Sequence, residues 1–258
     1  MGMYLRQVCL VAHELEPAIA ELTRVLGIER CAVDQSVAKF GLENTLMPVG
    51  SNFLEVVAPI QENTAAGRFL QKQNGDGGYI LVCQVDSAAH QQQCRESAAA
   101  QNIRVAFESS YGSYHLMQLH PRDLNNAMWE IDWDDRNEID GMWEPAGGVK
   151  WQQQVRDDVT VSMTGVELQA DDPELTAKQW GEIAGIRPET VAGGYRLQLE
   201  NGELRFVEEL DGRGHGLAGV DLTVRQKSKI MDAAPSIDSI RGDCIELCGT
   251  RFYLNDAV

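Results

Sequence analysis

The feature that most constrains the fold of this chain is an internal repeat. Two strand-like segments, residues 52–58 and 126–132, each carry one glutamate among apolar side chains, and these glutamates are Glu55 and Glu130. Each segment closes a block of similar length that begins with another strand-like segment. A carboxylate at the same place in two repeated units predicts a site that is built between repeats.

The composition excludes several classes of partner. The chain has 258 residues, with 22 Lys and Arg against 39 Asp and Glu, which gives a formal net charge of −17. Such a surface repels phosphate backbones and anionic lipids, and no apolar run approaches the roughly 20 residues of a membrane span. We therefore expect a small molecule as the ligand, and neither nucleic acid nor a membrane as a partner.

The start of the chain and its cysteines indicate a cytoplasmic protein. No signal peptide precedes the first strand-like segment, which starts at Leu5. The six cysteines form no Cys-x-x-Cys pair and several lie inside apolar runs, so we expect reduced thiols in the core. They are Cys9, Cys31, Cys83, Cys94, Cys244 and Cys248.

The first block has the order strand, helix and three strands. An apolar run over residues 5–12 predicts a buried strand. Apolar residues at helical spacing then predict a helix that starts near Glu14 and ends at Gly27. Three strands are predicted at residues 37–42, 45–49 and 53–57, with turns at residues 43–44 and 50–51.

The second block repeats this order. Residues 79–85 predict a strand and residues 87–101 a helix. Three further strands are predicted at residues 105–108, 113–119 and 127–132. The connector of residues 61–78 is polar and rich in glycine, and we expect it to contain one short helix.

The remainder of the chain predicts a second domain. Residues 135–158 are acidic and rich in turn residues, and we interpret them as a linker between domains of residues 1–134 and 159–258. A third block follows, with a hairpin around Asn201 and Gly202. A fourth, shortened block starts at residue 217 and closes with strands at residues 244–247 and 251–254.

Two segments carry a resemblance to known proteins: the strand opening of residues 5–11 followed by Leu15 and Glu16, and residues 119–123 followed by residues 129–131. They resemble the vicinal oxygen chelate superfamily, which includes glyoxalase I, methylmalonyl-CoA epimerase and extradiol dioxygenases. The second segment is similar to the epimerase branch. The resemblance implies an α+β fold of four tandem βαβββ modules, the last shortened. They would form two cup-shaped mixed sheets with flanking helices, the second domain being degenerate.

The resemblance also implies a metal site. In that superfamily the metal is bound from the first and last strands of each unit, and the matching positions here are Gln7, Glu55 and Glu130. The fourth position falls on Ile80, which cannot coordinate a metal. Oxygen ligands suit a divalent ion such as Mg, Mn, Ni, Zn or Fe, and no organic cofactor is expected.

Two histidines are candidates to complete this site. His120 lies at the end of a predicted strand and is the candidate catalytic residue, while His115 is the candidate substrate-binding residue. Either of them is also a candidate replacement for the ligand lost at Ile80. The alternative is that both are ordinary strand or loop histidines that form hydrogen bonds to the backbone.

The second half offers no comparable ligand set. Its first-strand positions become Gly165 and Gly219, and Arg205 stands where Glu55 stands in the first block. An arginine there predicts either a bound anionic group or a salt bridge. We therefore expect the second half to be structural, a lid, or a surface for a partner.

Three functions are compatible with these features. The leading hypothesis is a divalent-metal-dependent lyase or isomerase that acts through an enolate-like intermediate, since a metal can polarise the oxygen of such an intermediate. The alternative is a non-catalytic protein of the same fold that sequesters a small molecule, as the resemblance includes bleomycin-resistance-like members. An extradiol dioxygenase is disfavoured, because that branch uses two histidines and one glutamate. The chain is expected to be a monomer or a homodimer.

Overall fold

The fold is α+β, with two mixed sheets of seven and eight strands and with flanking helices. The computed structural model describes residues 2–209 and 211–257. This architecture confirms the fold class that the sequence predicts. Within the described residues, no helix is long and apolar enough to cross a membrane.

The first sheet and its helices come from the first half of the chain. Strands β1 to β7 are Met3–Val11, Leu42–Val49, Asn52–Pro59, Gly77–Val85, Val105–Tyr111, Tyr114–Leu119 and Met128–Asp134. Helices α1 to α4 are Leu15–Leu26, Ala65–Gln73, Ala88–Ala100 and Pro121–Leu124. Helix α2 lies in the connector, as predicted.

The second sheet comes from the second half. Strands β8 to β15 are Thr160–Ala170, Glu189–Val191, Gly194–Gln198, Glu203–Glu208, Gly216–Val224, Ile240–Arg241, Cys244–Leu247 and Thr250–Asp256. Helices α5 and α6 are Pro173–Ala184 and Lys227–Asp232. Short 3-10 helices occupy Gln35–Phe40, Glu144–Ala146, Lys150–Gln154 and Ile237–Ser239.

Each of the four blocks closes in the same way, because its last strand pairs parallel to its first. The parallel pairs are β1 with β3, β4 with β7, β8 with β11 and β12 with β15. The strand before the last pairs antiparallel to it in every block. The repeat in the sequence is therefore a repeat of strand pairing.

The registers of these parallel pairs place the four first-strand positions at equivalent sites. Gln7 is the partner of Phe53, two residues before Glu55, and Ile80 is the partner of Met128, two residues before Glu130. In the second sheet the corresponding pairs are Gly165 with Glu203 and Gly219 with Arg251. Arg205 and Tyr253 thereby take the place of the glutamates.

The first block departs from the prediction after its helix. Residues 37–42 are not a strand, because the side chain of Asp34 accepts from Ser36 N and starts the 3-10 helix Gln35–Phe40. This helix ends at Gly41, whose φ of 72° is left-handed. The predicted turn at residues 43–44 is also wrong, because the chain turns at Gly41 and β2 has already begun at Leu42.

Helix α1 ends where the sequence predicts. Its buried residues, Ile19, Leu22, Val25 and Leu26 among them, recur every three or four positions. Gly27 follows with a φ of 66°, and its N–H bonds to Thr23 O. A Cβ on Gly27 would meet Val159 Cβ at 2.7 Å, so both the turn and the packing require glycine.

The described chain forms two compact units that do not follow the chain order. The first unit contains Met1–Arg6, Tyr79–Ile139 and Gly165–Ala218. The second contains Gln7–Gly78, Asp140–Thr164 and Gly219–Val258. The domains of residues 1–134 and 159–258, with a linker of residues 135–158, remain a prediction that follows the two sheets.

Each unit has its own aromatic core. In the first unit Trp129 of β7 stacks on Trp180 of α5, with ring centroids 4.3 Å apart, and Phe206 meets Trp180 edge-on at 5.7 Å. In the second unit Phe53 packs against Trp143 and Trp151.

The six cysteines are free thiols, and burial raises the pKa of Cys83 and of Cys94 to about 12.

Candidate functional site

The polar centre of the second unit is the carboxylate of Glu55 in β3. Gln7 and Glu55 lie on one face of the sheet, because strand partners share a face and side chains alternate along a strand. Gln7 Nε2 donates to Glu55 Oε2 at 2.9 Å, and Asn44 Nδ2 of β2 donates to Glu55 Oε1 at 2.5 Å. Gln7, Asn44 and Glu55 are 5%, 1% and 7% exposed. Both carboxylate oxygens therefore accept buried hydrogen bonds from amide groups.

Trp143 completes this centre from a distant part of the chain. Its indole Nε1 donates to Gln7 Oε1 at 3.0 Å, and the side chain is buried. The Trp143 ring lies nearly parallel to the Phe53 ring, at 16°, with centroids 6.3 Å apart. The amide of Gln7 thus bridges an indole donor on one side and a carboxylate acceptor on the other.

Trp143 belongs to a segment that covers this face, residues 140–154, which we call the strap. Backbone bonds in both directions join Trp143 and Gly148 at 3.0 Å. Trp151 donates from its indole to Gly141 O at 3.0 Å, and its ring meets Phe53 edge-on at 5.0 Å. The strap is therefore an ordered part of the second unit that carries two buried tryptophans.

The contacts of Gln7 do not fit a metal ligand in this arrangement. Ligation of a hard divalent ion needs the carbonyl oxygen of Gln7 on the Glu55 side. The indole N–H of Trp143 can only donate, so it requires that oxygen on its own side. Among the described residues, no group of three or more His, Cys, Asp or Glu side chains is arranged to hold a metal.

Glu130 belongs to the first unit and lies among other polar side chains of β4, β6 and β7. The antiparallel register pairs it directly with Gln118, whose Nε2 donates to Glu130 Oε2. Asp132 follows on the same face of β7 and is 0% exposed, and Tyr114 donates its hydroxyl to Asp132 Oδ2 at 2.6 Å. The amide donor to Glu130 therefore comes from Gln118 on the neighbouring strand β6. Ile80, at the position equivalent to Gln7, has no side-chain donor.

Asp132 is a buried carboxyl next to a second carboxylate. Burial raises the pKa of Asp132 well above its ordinary value, and the charge of Glu130 raises this pKa further. The hydrogen bond from Tyr114 acts in the opposite sense. The carboxyl of Asp132 therefore holds its proton to higher pH than an exposed aspartate does.

His115 lies on the opposite face of the sheet from Glu130. It pairs with Trp133 in the register of β6 and β7, and the two rings stack with centroids 4.2 Å apart. Its Nδ1 lies 2.8 Å from Ser110 Oγ. The structure therefore does not bring His115 to the face where Gln118 and Glu130 meet.

His120 follows β6 directly and caps the short helix that comes next. It is the N-cap of α4, and its Nδ1 accepts from Arg122 N at 3.3 Å. Its backbone N–H donates to Arg104 O at 2.9 Å. These are the contacts of a capping residue, and they leave a catalytic role of His120 as a prediction.

Arg205 forms a salt bridge on the second sheet. Its guanidinium lies 3.1 Å from Glu167 Oε2, and Glu167 is buried. Glu203 lies further away, at 3.8 Å. The cation that replaces a glutamate in the third block is thus ion-paired within its own sheet.

The sequence matches a known protein family. A family described as a glyoxalase-like domain matches residues 8–184, more than half of the chain. The chain belongs to this glyoxalase-like family. The predicted resemblance to glyoxalase-like proteins is confirmed by this match. No curated protein matches the sequence.

Solved structures show how far this glyoxalase-like fold extends. A hypothetical protein from Staphylococcus aureus covers 100% of both chains, with a TM-score of 0.67 and 12% identity. Methylmalonyl-CoA epimerase from Mycobacterium tuberculosis covers 51% of this chain and 87% of its own, with a TM-score of 0.44 and 21% identity. A hypothetical protein from Bacillus halodurans covers 53% and 97%, with a TM-score of 0.45 and 14% identity. The first likeness extends the fold over both halves of the chain.

Sequence reasoning misses two residues of this glyoxalase-like centre. Asn44 is predicted to be a turn residue together with Glu43, but both lie in β2, which begins at Leu42. Of these two residues, Glu43 is exposed and Asn44 is buried. Trp143 lies in the predicted linker, which also contains Trp151. Two tryptophans within an acidic, turn-rich stretch are the feature that could have revealed the strap.

Proposed function

We propose that this chain is a small-molecule-binding protein of the glyoxalase-like family whose polar centre is Glu55, held by hydrogen bonds instead of a metal. The observation that carries this proposal is the contact between Trp143 Nε1 and Gln7 Oε1. It directs the nitrogen of Gln7, and not its oxygen, to the carboxylate.

The chemistry of this centre suits a ligand that donates hydrogen bonds. The amides of Gln7 and Asn44 each donate to one oxygen of the Glu55 carboxylate, and a carboxylate oxygen can accept more than one hydrogen bond. Hydroxyl and amine groups can donate to a carboxylate, and such charge-assisted bonds are about twice as strong as bonds between neutral groups. The proposed ligand is therefore a small molecule that carries such groups. We further propose that the protein acts in the cytoplasm, as a monomer or homodimer.

A thermal-shift screen of the full chain against small alcohols, polyols, phenols and amines tests this proposal. A ligand of the Glu55 centre should raise the melting temperature of the wild type and of Glu43→Gln, but not of Glu55→Gln. Glu43 is an exposed neighbour on the adjacent strand, so its variant controls for the loss of one charge. Equal shifts in all three proteins would contradict the proposed centre.

A metal-dependent lyase or isomerase is the second proposal, because Glu55 and Glu130 hold equivalent positions in two parallel pairs and both are buried. A bound Mg, Mn, Ni, Zn or Fe ion would supply a Lewis acid for an enolate-like oxygen. In the second unit Glu55 and Gln7 would be its ligands. Glu130 as a ligand and His120 as the catalytic residue remain predictions from the sequence. Stoichiometric metal in the purified native protein, lost in Glu55→Gln, would favour this proposal over the first.

A further inference from the structure

We infer that Trp143 keeps the pair Gln7 and Glu55 in a non-ligating arrangement, so that the strap suppresses metal binding at Glu55. The biological meaning of this inference rests on the proposed metal-free centre. The contacts that carry it are those of Gln7 with Glu55 and with Trp143, all three in the second unit.

The orientation of the Gln7 amide is decided by its two neighbours together. The carboxylate of Glu55 can only accept, and the indole N–H of Trp143 can only donate. The amide therefore has its nitrogen 2.9 Å from Glu55 and its oxygen 3.0 Å from Trp143. Rotating it by half a turn would break both bonds and set oxygen against carboxylate and N–H against N–H.

The burial of all three groups makes this preference strong. Trp143 is 1% exposed, so water cannot replace the acceptor that its N–H would lose. Asn44 adds a second amide donor on the other oxygen of Glu55, and its own Oδ1 accepts from Asp34 N at 3.0 Å, which fixes its orientation too. A metal at Glu55 would have to reorient both amides or displace them.

The strap holds Trp143 in place through contacts that do not involve Glu55. The paired backbone bonds to Gly148 fix its main chain, and the Phe53 ring lies against its indole. Trp151 is a matched control, because it is a second buried strap tryptophan that also packs on Phe53. Its N–H, in contrast, donates to Gly141 O and not to the Gln7 amide.

Titration of the full chain with Mn²⁺, followed by electron paramagnetic resonance, tests this inference. Trp143→Phe keeps an aromatic ring but removes the N–H, so the Gln7 amide can turn its oxygen to Glu55. We expect it to bind Mn²⁺ at least about tenfold more tightly than the wild type or Trp151→Phe. Adding Glu55→Gln to the Trp143→Phe variant should abolish this gain.

A measurement on the wild type alone keeps the inference testable if Trp143→Phe does not fold. The indole N–H signal of Trp143 in ¹⁵N NMR spectra should exchange slowly with solvent, as expected for a buried bonded donor. The inference is wrong if that signal exchanges as fast as in the unfolded chain, or if the wild type binds Mn²⁺ as tightly as Trp143→Phe. Neither measurement uses a small-molecule ligand, so failure of the proposed function would leave these outcomes unchanged.

Discussion

The hydroxyl of Tyr114 donates to Oδ2 of Asp132 at 2.6 Å, between two residues that are 18 positions apart and both buried. This bond gives one oxygen of a buried carboxyl a partner inside the first unit. Asp132 Oδ1 has no hydrogen-bond partner among the described residues. A buried group of this kind responds to pH in a way that can be measured.

The stability of the protein should fall as pH rises above 3.8, the ordinary pKa of aspartate, through the contribution of Asp132. Burial raises the pKa of folded Asp132, so the folded state binds more protons than the unfolded state in this range, and linkage then lowers the free energy of unfolding. Asp132→Asn should remove this contribution and flatten the profile. Urea unfolding at several pH values measures the pH dependence of the free energy of unfolding. Parallel pH profiles for the wild type and the variant would show that Asp132 does not cause this dependence.

Replacing Asn44 by leucine should lower the free energy of unfolding by about 1–3 kcal/mol. The change removes the donor to Glu55 Oε1 and also the acceptor of Asp34 N, at a site that is 1% exposed. Chemical denaturation measures the difference. Glu43→Gln, at the exposed neighbouring position, is the control and should stay within about 0.5 kcal/mol of the wild type. Equal stability of the two variants would show that the Asn44 bonds contribute little.

Trp180 should tolerate phenylalanine far better than alanine. Trp180→Ala leaves a cavity against Trp129 and Phe206 and is expected to cost about 3–5 kcal/mol. Trp180→Phe keeps an aromatic ring and loses no hydrogen bond, since Trp180 Nε1 has no partner among the described residues. Guanidinium unfolding curves compare the two variants. A phenylalanine variant as unstable as the alanine variant would reveal a bond of the indole N–H.

Gly27→Ala should be more destabilising than Gly147→Ala. Both glycines have left-handed backbones, with φ of 66° and 71°, so both variants carry the same backbone strain of roughly 1 kcal/mol. At Gly27 the new Cβ also meets a neighbour, Val159 Cβ at 2.7 Å. At Gly147 no described atom beyond the adjoining residues lies within 4 Å of the new Cβ. Melting temperatures of the two variants separate the clash from the strain, and equal losses would rule out the clash.

The pair Arg205 and Glu167 should show a coupling energy of about 1–3 kcal/mol in a double-mutant cycle. Glu167 is buried, so removal of its cation leaves a desolvated carboxylate poorly compensated. The variants are Glu167→Gln, Arg205→Met and their combination, measured by urea unfolding. The exposed pair Lys178 and Glu174 is the control, and its coupling should be too small to resolve. If the effects of the Arg205 and Glu167 substitutions on the free energy of unfolding are additive, this salt bridge contributes as little as the exposed control pair.

Most secondary structure of the chain could be predicted because its causes are local. The helix before Gly27 follows from apolar spacing and a glycine that accepts a left-handed backbone, and the hairpin around Asn201 and Gly202 follows from its turn residues. The strand predicted at residues 37–42 is wrong, because the hydrogen bond that Ser36 N donates to the Asp34 side chain starts a 3-10 helix and outweighs the local strand preference. A single capping contact of this kind is hard to distinguish in a sequence from an ordinary polar residue.

The candidate site could be predicted only in part. The positions of Gln7 and Glu55 follow from the repeat, because parallel pairing of the first and last strands brings them to one face. The partners of their polar atoms do not follow from it, since Trp143 is 136 residues from Gln7 along the chain. The face of β6 that His115 occupies could not be predicted either, because it depends on a register that a shift of one residue would reverse.

The sequence by itself determined the α+β repeat of this protein, since apolar periodicity, glycine turns and the recurring glutamate are properties of short segments. Tertiary structure alone decided what surrounds Glu55. The amides of Gln7 and Asn44 donate to one buried carboxylate, and the indole of Trp143 donates to the amide oxygen of Gln7. The direction of each N–H is set by the neighbour that can accept it. Such directions depend on through-space contacts, which a linear pattern of residue types does not specify.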